Sequence, residues 1–219
     1  MKYIIMCGGE YKRWQTPRQL IEIDGEPIVA RTIRLLRENG ITDIAISSHN
    51  PVFKQFEVPV LHHTNNFEVY GQDDVSGTWV DGFFPMDEPV CYLLGDVVFS
   101  KNAIKTIVSA ETSSIDFFAS SPPFADEYMK NHAEPFAFKV VDTDRFHWAI
   151  NRVKEYEFLG EFKRPPIAWE LWQVIKDTPI NVIDYKNYTA INDFTCDIDW
   201  ENEADKFIPA IERELKGEC

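Results

Sequence analysis

Residues 1–20 constrain this chain more than any other stretch. An apolar run, Tyr3-Ile4-Ile5-Met6, empties into Cys7-Gly8-Gly9, and Lys12, Arg13 and Pro17-Arg18-Gln19-Leu20 follow. A short β-branched strand ending in a glycine pair is how an open α/β sheet delivers a loop to the carboxyl ends of its strands, where ligands bind. Glycines let backbone N–H groups approach an anion closely, and three cations, Lys12, Arg13 and Arg18, fall within seven residues. Spacing alone leaves two readings open. One is a phosphate-binding loop; the other is a tight strand-to-loop turn carrying solvated cations.

With 219 residues, 44% of them hydrophobic, the chain is long enough for one well-packed α/β domain. The expectation is a single domain over 1–219, with room for a small acceptor-binding lobe within 120–190. A formal net charge of -14 argues against nucleic acid or an anionic membrane as partner, because both reward basic surface. Any anionic substrate must then be met by local cations. Cys7, Cys91, Cys196 and Cys219 lie far apart without C-x-x-C spacing, which points to reduced thiols rather than a zinc or redox pair. No charged-then-apolar leader precedes the first strand, and no apolar run approaches the roughly 18 residues of a membrane span. A soluble cytoplasmic protein is expected.

Downstream, Pro27 opens an amphipathic helix carrying Ile28, Val29, Ile33, Leu35 and Leu36, closed by Gly40 after Asn39. Strands are expected at 43–47 and 58–61, giving the rhythm of a doubly wound, mostly parallel mixed sheet. His49, His62 and His63 at the strand ends lack a third metal ligand at suitable spacing and read as loop residues. A polar segment, 63–77, holds Asn65, Asn66, Asp73 and Asp74 and passes into a helix that Ser76 is placed to cap. The strand over 90–94 ends in Gly95-Asp96, which puts a carboxylate at the same edge as the glycine loop. Mg2+ prefers hard oxygens and needs only one or two carboxylates beside waters and substrate phosphates, so Asp96 suffices as an anchor. The plainer alternative is Asp96 bonding its own turn.

Ser100 is placed to cap the next helix, and strands follow at 114–119 and 136–141. Lys139 lies within the second of these, where a lysine ordinarily points to solvent. Aromatic residues then cluster from Phe146 to Trp172. Trp169 and Trp172 share one face of a helix after Pro165-Pro166, a stripe that suits a core and alternatively an acceptor pocket. Near the end, Asp197-Ile198-Asp199 on an extended segment sends both carboxylates to one side. That arrangement costs free energy unless a cation or donors compensate. Asp199 alternatively caps the last helix, whose first turn holds Glu201 and Glu203.

Met6-Cys7-Gly8-Gly9-Glu10-Tyr11-Lys12-Arg13 followed by Pro17-Arg18 resembles the signature of the nucleotidyltransferases that activate sugar phosphates and related phosphates, L-(A/G)-(A/G)-G-x-G-x-R and then P-K. Gln19-Leu20 and Gly25-Glu26-Pro27 resemble the cytidylyltransferase branch. Two positions depart from the pattern: Tyr11 stands where glycine is usual, and Arg18 where lysine is usual. Leu93-Leu94-Gly95-Asp96 resembles the superfamily's metal-binding L-x-G-D, and Ile191 to Asp199 its closing aspartate element.

The resemblance implies a Rossmann-like, glycosyltransferase-A-like fold and transfer of a nucleotidyl group, CMP favoured, from a nucleoside triphosphate to a phosphorylated acceptor. It places the nucleotide at Cys7, Gly8, Gly9, Lys12, Asn66, Ser76, Gly77 and Gly95. Arg13, Arg18 and Lys139 become catalytic cations, and Asp96 and Asp199, with Asp197 second, hold Mg2+ (or Mn2+). Trp169 and Trp172 resemble the aromatic cage of choline-phosphate cytidylyltransferases of bacterial surface-polymer pathways. The implied partners are a nucleoside triphosphate and a phosphorylated small molecule, and a homodimer is compatible with all of this. Rival readings are uridylyl or thymidylyl transfer to a sugar 1-phosphate, a metal-dependent glycosyltransferase, and a nucleotide-binding regulatory module without turnover.

Overall fold

The computed structural model describes residues 1–8, 16–63, 78–120, 133–199 and 201–216. In chain order its elements are β1 (Lys2–Met6), β2 (Glu22–Ile23), β3 (Glu26–Pro27), α1 (Ile28–Glu38), β4 (Ile44–Ser47), β5 (Val60–Leu61), β6 (Val90–Leu94) and β7 (Val97–Val98). Then come α2 (Lys101–Ser109), β8 (Ile115–Ala119), β9 (Pro135–Val140), α3 (Thr143–Phe158), α4 (Ala168–Ile175), β10 (Thr189–Ala190), β11 (Cys196–Asp197) and α5 (Glu201–Leu215).

Seven strands form one sheet in the order β10-β8-β9-β6-β1-β4-β5. β1 pairs in parallel with β4 and β6, and β4 with β5; β10 runs parallel to β8. β9 is antiparallel to both β6 and β8, so it alone runs against the rest. The fold is therefore the doubly wound, mostly parallel sheet expected from the sequence.

Period-two alternation makes the sheet two-faced. Tyr3 and Ile5 join Val29, Ile33, Leu35 and Leu36 of α1 and Ile104 and Ile107 of α2 in one core. Ile4, Tyr92, Phe117 and Phe138 join Phe146 and Val153 of α3 and Trp169 and Trp172 of α4 in the other. Residues 133–190 thus supply β9 and β10 to the same sheet and two helices to its second face.

Local chemistry explains the element ends. Asp24 and Gly25, both at positive φ (51° and 75°), make the tight turn between β2 and β3, as an Asp-Gly pair favours. Gly40, at φ 80°, terminates α1 in the left-handed conformation. Ser100 accepts the Ala103 N–H at 2.8 Å, and Asp142 accepts that of Arg145 at 2.9 Å, capping α2 and α3 respectively.

Three expectations shift. α1 begins at Ile28 with Pro27 as its cap residue. The helix expected from Ser76 is, among the described residues, a 3-10 turn over Trp79–Gly82. Residues 143–158, legible only as an aromatic cluster, form the long helix α3, because Phe146, Ala149 and Val153 fall on one buried face.

Candidate functional site at the carboxyl edge of the sheet

The carboxyl ends of β1 and β6 lie side by side, Met6 opposite Leu94, and the chain passes from there into Gly8 and Gly95. Gly95 donates its N–H to the Met6 carbonyl at 3.1 Å. A Cβ at Gly95 would stand 2.3 Å from Met6 O and 2.8 Å from Cys7 Sγ, far inside van der Waals contact. Glycine is therefore required for close packing of two strand ends, and that packing fixes where Asp96 emerges. This is a different duty from the nucleotide contact that the resemblance implies.

A second, two-stranded ribbon brings in the other carboxylate. β7 and β11 pair antiparallel with Val98 opposite Cys196 and Val97 opposite Asp197. Continued by one and two residues, that register sets Ile198 and Asp199 beside Asp96 and Gly95. Ile198 is wholly buried with Ile23, Ile28 and Val98, so alternation turns Asp199 to the opposite side. The ribbon is pinned by a polar clamp: Ser100 donates its hydroxyl to Asp193 Oδ2 at 2.6 Å and its N–H to Thr195 Oγ1 at 3.0 Å, while Thr195 N–H reaches Asp193 Oδ1 at 2.9 Å.

Between the two carboxylates lies Arg18. It enters from the 3-10 turn Arg18–Leu20 after Pro17, and its side chain is 2% exposed, against 18% for Asp96 and 37% for Asp199. Nη2 donates to Asp96 Oδ2. Nη1 donates to Asp199 Oδ1 at 2.5 Å and to the Ile198 carbonyl at 3.1 Å. The guanidinium thus spans two carboxylates rather than gripping one bidentately. Of the two aspartates in the D-x-D, it is Asp199 that meets Arg18 and shares the centre with Asp96; Asp197 lies two residues back along β11.

This donor set suits a hard divalent cation: two carboxylates from different segments converge on Arg18, partly open to solvent. Among the described residues no group of three or more His, Cys, Asp or Glu forms a metal cage. Any cation here would complete its shell from water and substrate oxygens, as Mg2+ prefers.

The remaining expected site residues fall as follows. Gly8 is buried at the end of β1. Cys7 donates its N–H to the Ser47 carbonyl at 2.9 Å, and its thiol packs into the core. Burial pushes that thiol well up, and the Asp96 carboxylate adds to the effect. Both its amide and its sulfur are committed inward, so Cys7 is structural rather than a phosphate donor. Gly9, Lys12, Arg13, Asn66, Ser76 and Gly77 lie outside the described residues.

Lys139 requires correction. β9 runs antiparallel, so Lys139, opposite Cys91 and Asp116, lies toward the amino ends of β6 and β8, away from Gly95. Its buried ammonium donates to the carbonyls of Ile107 (3.1 Å), Val108 (3.0 Å) and Ala110 (2.6 Å). These are the acceptors left open at the end of α2, and a lysine there is a helix-terminating cation. Trp169 and Trp172 require correction too. Both are buried, with Phe117 centroids 5.0 and 5.6 Å away. Their indole N–H groups reach the carbonyls of Ala133 (3.4 Å) and Lys186 (3.3 Å). They build the α4 face of the core and present no cage.

His63, read as a strand-end residue, is one: its Nε2 lies 2.7 Å from the Asp81 carbonyl. It borders a cavity of about 370 Å3 that Phe84, Tyr92, His147 and Lys154 also line. Arg18, Asp96 and Asp199 take no part in that cavity.

Sequence reasoning missed the Asp193–Ser100–Thr195 clamp. The D-F-T spacing, with a carboxylate two residues before a buried threonine, was the available signal.

Comparison with known proteins places the chain among nucleotide-handling enzymes. Residues 3–125 match the family described as MobA-like NTP transferase domain. Among solved structures, the inositol-1-phosphate CTP transferase of T. maritima superposes with TM-score 0.58 at 13% identity, covering 97% of this chain and 96% of that one. The 4-diphosphocytidyl-2C-methyl-D-erythritol synthase of Anaerococcus prevotii DSM 20548 gives 0.57 at 13% identity, covering 98% and 95%. A Bacillus anthracis structure assigned as a glucose-1-phosphate thymidylyltransferase gives 0.54 at 16% identity, covering 97% and 95%. These identities speak for the fold alone. Among curated proteins, none matches the chain by sequence.

Proposed function

The chain belongs to the MobA-like NTP transferase family, and from that premise we propose that it transfers a nucleoside monophosphate, CMP by preference, from the triphosphate to a phosphorylated small molecule and releases pyrophosphate. The observation that carries the reading is the convergence of Asp96 and Asp199 on Arg18 at the carboxyl edge, beside the end of β1. In this reaction an oxygen of the acceptor phosphate attacks the α-phosphorus in line, and the α-phosphorus–oxygen bond to the leaving pyrophosphate breaks. The attacking oxygen is already ionised at neutral pH, so neither a protein nucleophile nor a general base is needed.

Mg2+ bound at the two carboxylates would neutralise charge growing on the transferred and leaving phosphates. Asp96 and Asp199 are held by strand ends and a pinned ribbon, so their oxygens are preorganised rather than recruited. Arg18, from the P-R-Q-L segment, supplies charge-assisted donors within reach of the same place, and Arg13 is proposed to share the triphosphate. The burial of Trp169 and Trp172 removes the support for a quaternary-ammonium acceptor, leaving sugar and alditol phosphates as the classes to try first.

The preference for cytosine rests on the P-R-Q-L spacing after Arg13, which resembles the cytidylyltransferases. Pyrophosphate release should be compared for CTP, UTP, dTTP, ATP and GTP with a mixed pool of phosphorylated acceptors. Fastest release with CTP is expected. Preference for UTP or dTTP by about tenfold or more would reverse the base while keeping the transfer, and a factor of that size is what one mispaired polar contact produces. Release from none of them would leave a binding module without turnover.

A further inference from the structure

We propose that Asp193 is a positioning residue: with Ser100 and Thr195 it fixes the register of β11 on β7, and so decides that Asp199 rather than Asp197 stands with Asp96 at the sheet edge. The proposal rests on the role given to Asp199 above. The ladder itself is short, two residue pairs with Val98 opposite Cys196 and Val97 opposite Asp197. A two-stranded ribbon of that size is marginal by itself. Nor does side-chain alternation settle its register. Phe194, Cys196 and Ile198 are all buried in one cluster with Val98, and Asp197 and Asp199 alternate with them on the other side. A slip of one residue would turn the acidic side into the core. A slip of two keeps every residue on its own side: Phe194 takes the place of Cys196, Cys196 that of Ile198, and Asp197 that of Asp199.

Arg18 does not separate the two registers. It donates to Asp199 and to the Ile198 carbonyl, and after a slip of two it would meet the same kinds of acceptor in Asp197 and the Cys196 carbonyl. The clamp at the other end of the ribbon does separate them. Asp193 accepts the Ser100 hydroxyl through Oδ2 at 2.6 Å and the Thr195 N–H through Oδ1 at 2.9 Å, and Thr195 Oγ1 accepts the Ser100 N–H at 3.0 Å. In the slipped register Ile191 would stand at the place of Asp193, with no side-chain acceptor for the Ser100 hydroxyl. The bond from Thr195 N–H back to Asp193 also bends the chain as an Asx turn. That bend takes up length between β11 and Ile191, whose N–H is tied to the Ala119 carbonyl at 2.9 Å. Removing it releases the length that a slip requires.

The test compares the full parent chain with Asp193→Ala, Asp193→Asn and Thr195→Val, reading nuclear Overhauser contacts between the two backbones in isotopically labelled protein. The parent should show Val98 against Cys196. Asp193→Ala should lose that contact and gain one between Val98 and Phe194. Asp193→Asn keeps an acceptor for the Thr195 N–H and a polar partner for Ser100, and should show the parent contact. Thr195→Val keeps the side-chain shape but removes the acceptor for the Ser100 N–H; it should shift in the same direction as Asp193→Ala, and it carries the test where Asp193→Ala does not fold.

Pyrophosphate release reads the consequence. In the parent, Asp199→Asn should be more damaging than Asp197→Asn; on the Asp193→Ala background the order should reverse. Each penalty should move by about tenfold, within the range shown by side chains of one hydrogen-bond network. A folded Asp193→Ala or Thr195→Val protein that keeps the Val98–Cys196 contact unchanged overturns the proposal, and so does a shifted contact with Asp199 still the more damaging position. The backbone contacts are read without turnover, so they decide the matter even where pyrophosphate release fails with every nucleotide.

Discussion

Replacing Gly95 with alanine adds one methyl group and should disable both fold and site. The new Cβ would stand 2.3 Å from Met6 O, 3.0 Å from Met6 C and 2.8 Å from Cys7 Sγ. Two of these atoms are backbone of β1 and cannot rotate aside, so β1 and β6 must part where Gly95 N–H now meets Met6 O at 3.1 Å. Overpacking of a rigid neighbourhood costs about 1–3 kcal/mol, and a weakened buried hydrogen bond adds roughly 0.5–1.5 kcal/mol. The sum, about 1.5–4.5 kcal/mol, corresponds to a fall in Tm of roughly 3–18 °C for a domain of this size. Asp96 follows Gly95 directly, and a shift of its carboxylate by about 1 Å is worth on the order of a hundredfold in rate. Thermal unfolding by circular dichroism and pyrophosphate release read the two effects separately. Adding Cys7→Ala should not rescue either, because the closest clash is with backbone rather than sulfur. A Gly95→Ala protein that unfolds within about 1 °C of the parent would refute the close-packing argument.

Asp96→Asn and Asp199→Asn should each lower pyrophosphate release by at least about a hundredfold, and Asp197→Asn should lower it less; the reverse order for the last two would move the site along β11. Lys139→Met should cost roughly 2–4 kcal/mol, since three carbonyls at the end of α2, one buried and two partly buried, lose a charged donor. Turnover per folded molecule should stay unchanged, and lost turnover at unaltered Tm would put Lys139 back among the substrate contacts. Glu157 is raised above its ordinary 4.5 by burial first and by the nearby Asp81 second, so its ionised form weighs against the folded state above its folded pKa. Glu157→Gln should therefore raise stability at pH 7 by up to about 1 kcal/mol, a figure kept small by partial exposure. That gain should fade as pH drops through the raised pKa towards 4.5; a Tm difference independent of pH would contradict the assignment.

The sheet was legible because its signals are local. Tyr3 to Met6 and Val90 to Leu94 are runs of apolar residues, the second bounded by Pro89 and Gly95, and Ile115 to Ala119 between Ser114 and Ser120 is broken only by Asp116; such runs announce buried strands without reference to anything distant. α3 was not, since only Phe146, Ala149 and Val153 are fully buried across its 16 residues. Charged and aromatic residues on its outer face dilute the helical period. Lys139 was misread for a related reason. What an inward-facing lysine bonds depends on which chain end lies over the strand, and its three acceptors come from the end of α2, 29 to 32 residues earlier. Trp169 and Trp172 fitted both a core and a cage by spacing. The choice was made by β8, whose Phe117 packs against both indoles.

The candidate site shows the same division between local and distant information. Asp96 could be read from its own strand, because an apolar run that ends in Gly-Asp puts a carboxylate at the carboxyl edge of the sheet. Asp199 could be narrowed only to one of two aspartates, since alternation puts Asp197 and Asp199 on one side and the pairing of β11 with β7 sets them one position either side of Asp96; the hydrogen bond from Arg18 to Asp199 makes the choice. That register is set in turn by Asp193, Thr195 and Ser100, residues whose hydrogen bonds join segments more than 90 positions apart. Arg18 announced itself as a departure from a lysine signature, and its meaning appeared only with both carboxylates in place. The planar guanidinium reaches each carboxylate with a different nitrogen. The substitution and the spacing of the two aspartates therefore belong to one electrostatic solution: a chain of net charge -14 keeps an acidic pair together at its sheet edge by holding a buried cation between them.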